Sequence, residues 1–296
     1  MGNSITLFKK YIDLLDEVYQ NASLSSVLDG DASLVSQGSN THEIVIPKMT
    51  MDGLGAYSRN GGYVGGDVTL TNETVECNYD RGRSFVIDAM DNEETAGVAF
   101  GKLSAEFIRT KVVPELDAFR FAKYAALASN AATVASASYT TGTDVLDALV
   151  KAQNAMDENE VPAESRVLFI TPTLYNLIQS VDTTKSKEVM NSFAQIVKVP
   201  QSRFYTLIKL NDGTSSGETA GGFAPVATTG YAINFMIVEK SAAIQYQKHT
   251  VSKVISPEEN QDSDGWKFCY RAYGIADAYE NKVAGIYLDK GAVVSA

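Results

Sequence analysis

The residues that could carry catalytic or metal chemistry are few in this chain and lie far apart in the sequence. There are two histidines, His42 and His249, and two cysteines, Cys77 and Cys269. Neither histidine adjoins a plausible nucleophile, and the cysteines lack the close spacing of a zinc site. We therefore predict no catalytic residue, no metal site, no cofactor and no enzymatic activity. The separated cysteines suit a reducing cytoplasm.

Three short stretches match binding motifs only in part. "GLGAYS", residues 53–58, lacks the third glycine and the strand–helix setting of a dinucleotide-binding loop. "DSDG", residues 262–265, lacks the later ligands of a calcium loop, so we interpret it as a turn. "DNEE", residues 91–94, offers paired carboxylates, but the dipole at the start of a helix also favours acidic side chains. We interpret this stretch as a helix start.

Composition limits the class of protein. The formal net charge is −11 at pH 7, so the chain is not suited to coating nucleic acid by neutralising its phosphates. The sequence contains no run of the roughly 20 apolar residues that would span a bilayer, so we predict no membrane association. Its 45% hydrophobic content suffices for a core, and 296 residues suggest about two domains.

A long polar hairpin is predicted before residue 91. Residues 57–82, "YSRNGGYVGGDVTLTNETVECNYDRG", favour strands but offer little to bury. On the returning limb the apolar residues change face, from Val68 and Leu70 to Val75, which predicts a bend or bulge near residues 72–74. Neither face carries enough apolar residues to pack on a core, and an isolated hairpin is marginally stable. The stretch is therefore either a flexible surface loop or a hairpin supported by another subunit.

A long helix is predicted to follow this hairpin. Residues 92–128 would extend over roughly 50 Å, with Asp91 or Asn92 as the cap and an apolar stripe at helical spacing. Pro114 should kink the helix or divide it into two segments. Such a helix is long for a globular protein of this size.

The remaining segments divide into an N-terminal arm and an α/β region. Residues 4–19 carry a rough helical stripe, residues 20–41 are interpreted as an extended arm, and "HEIVIPKM" as a short strand with Pro47 at an edge. After residue 143 an amphipathic helix alternates with the buried strands "SRVLFITP" and "GYAINFMIVEK", and Thr171 is predicted to cap a helix that begins at Pro172. The tail predicts two long strands, residues 242–255 and 264–288, joined by the acidic turn "SPEENQDSD".

This order of elements resembles that of the major capsid proteins of tailed bacteriophages, which have the α+β Hong Kong 97-like fold. Four stretches carry the resemblance: "IPKMTMDGLGAYSRNGGYVGGDVTLTNET", "DRGRSFVIDAMDNEE", "FIRTKVVPELDAFRFAKYA" and "ENKVAGIYL". The resemblance covers nearly the whole chain and implies six parts: an N-terminal arm (1–47), an E-loop hairpin (48–88), a peripheral domain with the spine helix (89–143), an axial domain (144–242), return strands of the peripheral domain (243–275) and the end of the axial domain (276–296).

The resemblance also implies a function. The E-loop would lie across a neighbouring subunit, and hexamers and pentamers would form an icosahedral shell around double-stranded DNA without sequence-specific binding. A portal and a scaffolding protein are the further partners implied, with assembly in the host bacterial cytoplasm and a final place in the virion. Some members crosslink neighbours through a lysine on the E-loop, but residues 49–101 contain no lysine. Because the chain begins at Met1, we expect a separate scaffolding protein rather than a removed N-terminal segment.

Six charged residues are candidates for contacts between subunits. Arg81 and Arg83 share one face of a predicted strand, so both can face one neighbour, and Arg59 lies on the hairpin. Their predicted partners are the acidic residues at the start of the spine helix: Asp91, Glu93 and Glu94. The alternative is that all six are scattered, solvated charges.

Three other functions remain open at this stage. An encapsulin-like compartment would share the fold but enclose enzymes instead of DNA. An acidic cytosolic α/β enzyme is favoured only by residues 144–240 and lacks a recognisable site. A surface-layer protein or adhesin would need an export signal, which the N-terminal residues do not supply.

Overall fold

The computed structural model describes residues 23–30, 43–90, 104–130, 134–181, 184–215 and 218–295. The predicted stripe over 4–19, and the predicted helix start at 91–94, lie outside these residues. The described strands are β1 (Glu43–Met51), β2 (Val68–Glu76), β3 (Tyr79–Asp88), β4 (Val134–Ser136), β5 (Arg166–Ile170), β6 (Gln195–Lys198), β7 (Ile208–Leu210), β8 (Phe223–Pro225), β9 (Tyr231–Glu239), β10 (Ala243–Ile255), β11 (Gly265–Ala278) and β12 (Ile286–Val293).

The described α-helices are α1 (Val113–Asn130), α2 (Gly142–Glu158), α3 (Pro172–Ser180) and α4 (Thr184–Asn191). Thr141 caps α2, since its hydroxyl accepts a hydrogen bond from the backbone N–H of Asp144. Thr171 precedes α3 in an extended conformation, with Pro172 in the first turn as predicted, although its side chain makes no capping hydrogen bond. Among the described residues, no helix is both long and apolar enough to cross a bilayer.

A five-stranded mixed sheet forms the larger core, in the order β4-β12-β9-β5-β6. The predicted buried strands are its centre: β5 is buried at every position, and β9 is antiparallel to both of its neighbours. Phe121 of α1 packs on one face against Phe169, while α2 and α3 pack on the other face with Leu168 and Ile237. Because both faces are covered, these strands are continuous apolar runs instead of alternating ones.

A three-stranded antiparallel sheet of order β10-β11-β3 lies beside the long helix. The tail prediction was wrong in one respect, because residues 264–288 are not a single strand. β11 ends at Ala278, a 3-10 turn covers Glu280–Gly285, and β12 then joins the five-stranded sheet. Gly285, the last residue of this turn, packs so closely on the turn Lys240–Ala242 that a Cβ would lie 3.0 Å from the Cβ of Ala242. The chain therefore crosses between sheets where the sequence shows only an uninterrupted apolar pattern.

The long helix is described from residue 104 to Asn130 and is not divided at Pro114. Ile108–Val112 instead forms a π-helical turn, in which the N–H of Val113 bonds the carbonyl oxygen of Ile108. Proline lacks a backbone donor and crowds the preceding turn, and a widened turn just before Pro114 accommodates both effects. The apolar side of the helix, including Phe119, packs on the three-stranded sheet with Phe268 and Tyr79.

Candidate subunit interface

The hairpin β1–β2 is regular along its whole length. Nine residue pairs follow one another without irregularity, from Glu43 opposite Glu76 to Met51 opposite Val68. The predicted bulge near residues 72–74 is therefore wrong. The apolar residues change face because the two halves of the strand have different surroundings: Val75 meets the body of the molecule, whereas Val68 projects beyond it.

The base of the hairpin is held by apolar contact and by hydrogen bonds. Val75 is buried against Ile244 and Ile275 of the three-stranded sheet. At the junction with β3, the Asn78 side chain donates to the carbonyl oxygen of Ala276 (2.8 Å) and accepts from its N–H (3.1 Å). The hairpin therefore leaves the body from a fixed point.

Charged groups surround this base. Lys48 Nζ lies 2.7 Å from Glu280 Oε2, and this hydrogen bond raises the pKa of the lysine. The pKa of Glu73 is also raised, first by partial burial and then by the nearby carboxylates of Glu280 and Asp277, although Lys48 opposes the shift. Lys48 therefore interacts with the carboxylates of Glu280 and Glu73 where the hairpin joins the body.

The outer half of the hairpin has an exposed apolar face. Met49 is paired with Leu70 and Met51 with Val68, and directly opposed residues point to the same face of an antiparallel pair. All four side chains are more than half exposed, at 54–66%. We call this set the hairpin face.

Further apolar side chains extend the hairpin face into the connecting loop. Leu54 is fully exposed, and the rings of Tyr57 and Tyr63 meet edge to face with centroids 5.0 Å apart. Gly62 turns the chain here with φ +77°, a conformation that favours glycine. The hairpin face was not predicted from the sequence, because the apolar residues of each strand were considered separately and neither strand alone has many. The signal was present in the alternation of Met49 with Met51, but it needs the register with β2.

The structure describes three of the six predicted contact residues. Arg59 lies in an exposed turn at the far end of the hairpin. Arg81 and Arg83 lie on the face of β3 toward the long helix and contact other parts of the same chain. Asp91, Glu93 and Glu94 fall outside the described residues, so ion pairs between subunits remain a prediction.

Arg81 and Arg83 join the edge strand β3 to the segment after β7. Arg81 Nε donates to Glu115 Oε1 (2.8 Å) of α1, and its Nη2 donates to the carbonyl oxygen of Asn211 (3.0 Å). Arg83 Nη1 donates to the carbonyl oxygen of Ala220 (2.5 Å). Gly221 has φ +103°, a backbone conformation that favours glycine, and a Cβ there would lie 2.8 Å from this guanidinium. The arginines thus bind backbone carbonyl groups that lie 130 and 137 residues away in sequence.

A cavity of about 1030 Å³ lies between β3, the long helix and the segment after β7. Aromatic side chains, Phe85 and Phe107 among them, form part of its wall, and the paired Arg81 and Glu115 form another part.

Within the described ranges, no group of three histidine, cysteine or acidic side chains could hold a metal ion. His249 lies exposed on β10, opposite Tyr273.

Comparison with solved structures identifies the fold. The chain is similar to a capsid structure of the cyanophage P-SCSP1u (TM-score 0.58, 14% identity, covering 90% of this chain and 87% of that one). It is also similar to the mature capsid of bacteriophage PhiM1 (TM-score 0.58, 10% identity, 87% and 84%) and to a virus-like particle from Pyrococcus furiosus (TM-score 0.55, 10% identity, 95% and 98%). No family model and no curated protein sequence matches the chain. The chain has the fold of these capsid structures, as predicted from the sequence.

Proposed function

We propose that the chain is a major capsid protein, which self-assembles as hexamers and pentamers into an icosahedral shell around the double-stranded DNA of a tailed phage. The observation that carries the proposal is the hairpin face: four apolar side chains, in register on a regular hairpin, have no core among the residues that the structure describes. Contiguous exposed apolar surface of this kind marks an interaction site. The likeness to capsid structures makes a second copy of the chain its natural partner.

Within this proposal the parts of the chain take the roles that the family assigns. Residues 48–88 are the E-loop, which lies over a neighbour, and 92–128 the spine helix. The peripheral domain comprises 89–143 and 243–275, and the axial domain 144–242 and 276–296. The hairpin then completes its core in the assembly, which explains why it is regular and yet nearly unburied.

The net charge of −11 fits a container for DNA. A shell wall that repels phosphates encloses the genome without gripping it, so packaging and ejection are not opposed by adhesion. A portal and a scaffolding protein would complete assembly in the host bacterial cytoplasm, and the mature protein would reside in the virion.

The test is to place a charge on the hairpin face. Leu70→Asp should bury an unpaired carboxylate at each contact, at a cost of about 3 kcal/mol or more, and lower shell yield by at least about 100-fold. Thr69→Asp is the matched control, because Thr69 is the exposed neighbour on the opposite face. Yield is measured by sedimentation and electron microscopy, with circular dichroism confirming that both variants fold. Wild-type shells from Leu70→Asp would refute the proposal.

An encapsulin-like compartment is the second candidate. It is favoured by the likeness to the virus-like particle from Pyrococcus furiosus, which extends over 98% of that chain. The contents of purified particles separate the two functions, since a phage capsid produced during infection protects double-stranded DNA from nuclease. Particles that hold protein cargo and no protected DNA would favour the compartment.

A further inference from the structure

A second recognition site lies on the long helix, far in sequence from the hairpin. Its occupant is the short segment Ser23–Gly30, which includes one 3-10 turn, Ser25–Leu28. Asp117 of α1 is fully buried beneath it. One carboxylate oxygen accepts from the hydroxyls of Ser23 (2.8 Å) and Ser25 (2.6 Å), and the other accepts from the N–H of Leu24 (3.0 Å).

Two more buried side chains bind the other end of the segment. Arg120, only 3% exposed, donates to the Ser25 hydroxyl (2.9 Å) and pairs with Asp29 (3.3 Å). Gln245 of β10 donates to the carbonyl oxygen of Ser25 and to Asp29 Oδ1, both at 2.7 Å. The Tyr124 hydroxyl donates to the Gln245 side-chain oxygen at 2.9 Å and so fixes its orientation.

The segment is held like a bound peptide. Of the backbone hydrogen bonds between the segment and the body, the structure shows one, from the N–H of Gly30 to the carbonyl oxygen of Gln245 (3.0 Å). The other polar contacts run to side chains, and Leu28, 1% exposed, is the apolar anchor. Release of the segment would expose the apolar surface around Leu28 but would break no strand pairing or helical hydrogen bond of the body. Local openings of this kind occur independently of global unfolding.

We propose that the groove formed by Asp117, Arg120, Tyr124 and Gln245 is a peptide-binding site, and that Ser23–Gly30 is its reversible intramolecular ligand. The groove selects hydroxyls at positions 23 and 25, a leucine at 28 and a carboxylate at 29. Docking and release of this ligand would attach or free the chain before β1 while both sheets stay folded. This proposal does not depend on the capsid function.

Hydrogen exchange in the full-length wild-type protein gives the first test. The amides of Leu24 and Ser25 should exchange through a local opening, at least about tenfold faster than amides in the buried middle of α1, and with little dependence on denaturant. If they exchange only with the global unfolding transition, the segment is an integral part of the core and the proposal is wrong.

Peptide binding gives the second test, with a fluorescent synthetic peptide of residues 23–30. In wild type the tethered segment competes at an effective concentration near millimolar, so added peptide should bind weakly. A full-length Ser25→Ala, Leu28→Ala variant should bind it at least about tenfold more tightly. Ser26→Ala is the matched control and should behave as wild type, because the Ser26 hydroxyl bonds only the carbonyl oxygen of Ser23 within the segment.

Asp117→Asn tests the groove itself. Added to the double variant, it should weaken peptide binding at least about tenfold, because charge-assisted hydrogen bonds become neutral ones. Failure of the folded double variant to bind the peptide would overturn the proposal, as would binding that is indifferent to Asp117→Asn. A double variant that does not fold would show that the segment belongs to the core, which also overturns it.

Discussion

The hairpins β1–β2 and β10–β11 are both long and antiparallel, but among the described residues only β10–β11 packs on a core along much of its length. On β11, Phe268, Ala272 and Ala276 are at most 1% exposed beneath the long helix. Among the described side chains of β1 and β2, Val75 alone is buried. The supported hairpin is also the irregular one, with a register shift between Gln247 and His249, whereas the unsupported hairpin is regular throughout.

This difference shows that strand pairing and strand support are separate properties. The β10–β11 hairpin packs on the long helix through β11 and carries a register shift on β10, and a bulge of this kind bends a strand and increases its local twist. Beyond its base, the β1–β2 hairpin packs against no other element among the described residues. Under the proposed function, a second copy of the chain would cover its apolar outer face, and the two hairpins should then respond to substitution in opposite ways.

The largest effect is expected from removing an aromatic ring from the supported hairpin. Phe268→Ala should lower the free energy of unfolding by about 3–5 kcal/mol, because a fully buried ring leaves a cavity. Tyr63→Ala removes a ring that is 91% exposed on the unsupported hairpin and should change this free energy by less than about 0.5 kcal/mol, while lowering shell yield. Urea titrations of unassembled protein, followed by assembly assays, measure both. Equal destabilisation by the two substitutions would remove the contrast.

The next effect concerns the arginines of β3. Arg81→Glu places a carboxylate beside Glu115, whose side chain is only 10% exposed, and should cost about 2–4 kcal/mol of stability within the chain. Arg83 is exposed, and Arg83→Glu should cost less than about 1 kcal/mol. Because Arg83→Glu should leave the fold nearly unchanged, a loss of assembly in this variant would report a contact between Arg83 and a neighbouring subunit. Normal shells from a stably folded Arg83→Glu variant would refute its proposed role between subunits.

The secondary-structure elements that could be predicted from the sequence are those whose pattern of apolar residues reflects a single kind of environment along the whole element. β5 and β9 were recognisable because both of their faces are covered, and α2 because its amphipathic pattern is a local signal. The fold class followed from the order of elements and was confirmed.

The features that could not be predicted from the sequence are contacts between segments that are far apart in the chain. The hairpin face forms only when Met49 is paired with Leu70, and this register cannot be read from either strand alone. The hydrogen bond from Arg83 goes to the backbone carbonyl oxygen of Ala220, and a pattern of side chains does not predict a backbone acceptor. The burial of Asp117 was not predictable either. In the sequence it looks like any polar residue of a helix, and it is buried because Ser25, 92 residues earlier, packs on it.

A third expectation is that the hairpin is joined to its neighbours without covalent bonds. Lys48 is the single lysine in residues 48–101. Its Nζ forms an ion pair with Glu280 at the base of the hairpin and is not at the hairpin tip. Denaturing electrophoresis of particles, boiled with reductant, should show one band near 32 kDa. A ladder that survives reductant would reveal a crosslink. A ladder that only reductant removes would implicate Cys77 or Cys269, both free and partly exposed.

The smallest effect concerns pH at the base of the unsupported hairpin. The pKa of Glu73 is raised in the folded state above its ordinary value of 4.5, so the folded protein binds this proton more readily than the unfolded chain. The ionised carboxylate therefore destabilises the fold above the raised pKa, and this penalty disappears as the pH falls below about 4.5.

Glu73→Gln removes the charge and should stabilise the protein at pH 7, by less than about 0.5 kcal/mol because the site is largely exposed to screening. Wild type and variant should converge below about pH 4.5, when Glu73 is protonated in both states. Thr71→Val, on the same face but uncharged, is the control and should show no such convergence. Paired melts from pH 3.5 to 7 would measure the difference. A variant that is less stable than wild type at pH 7 would mean that the attraction of Lys48 outweighs burial and the two neighbouring carboxylates.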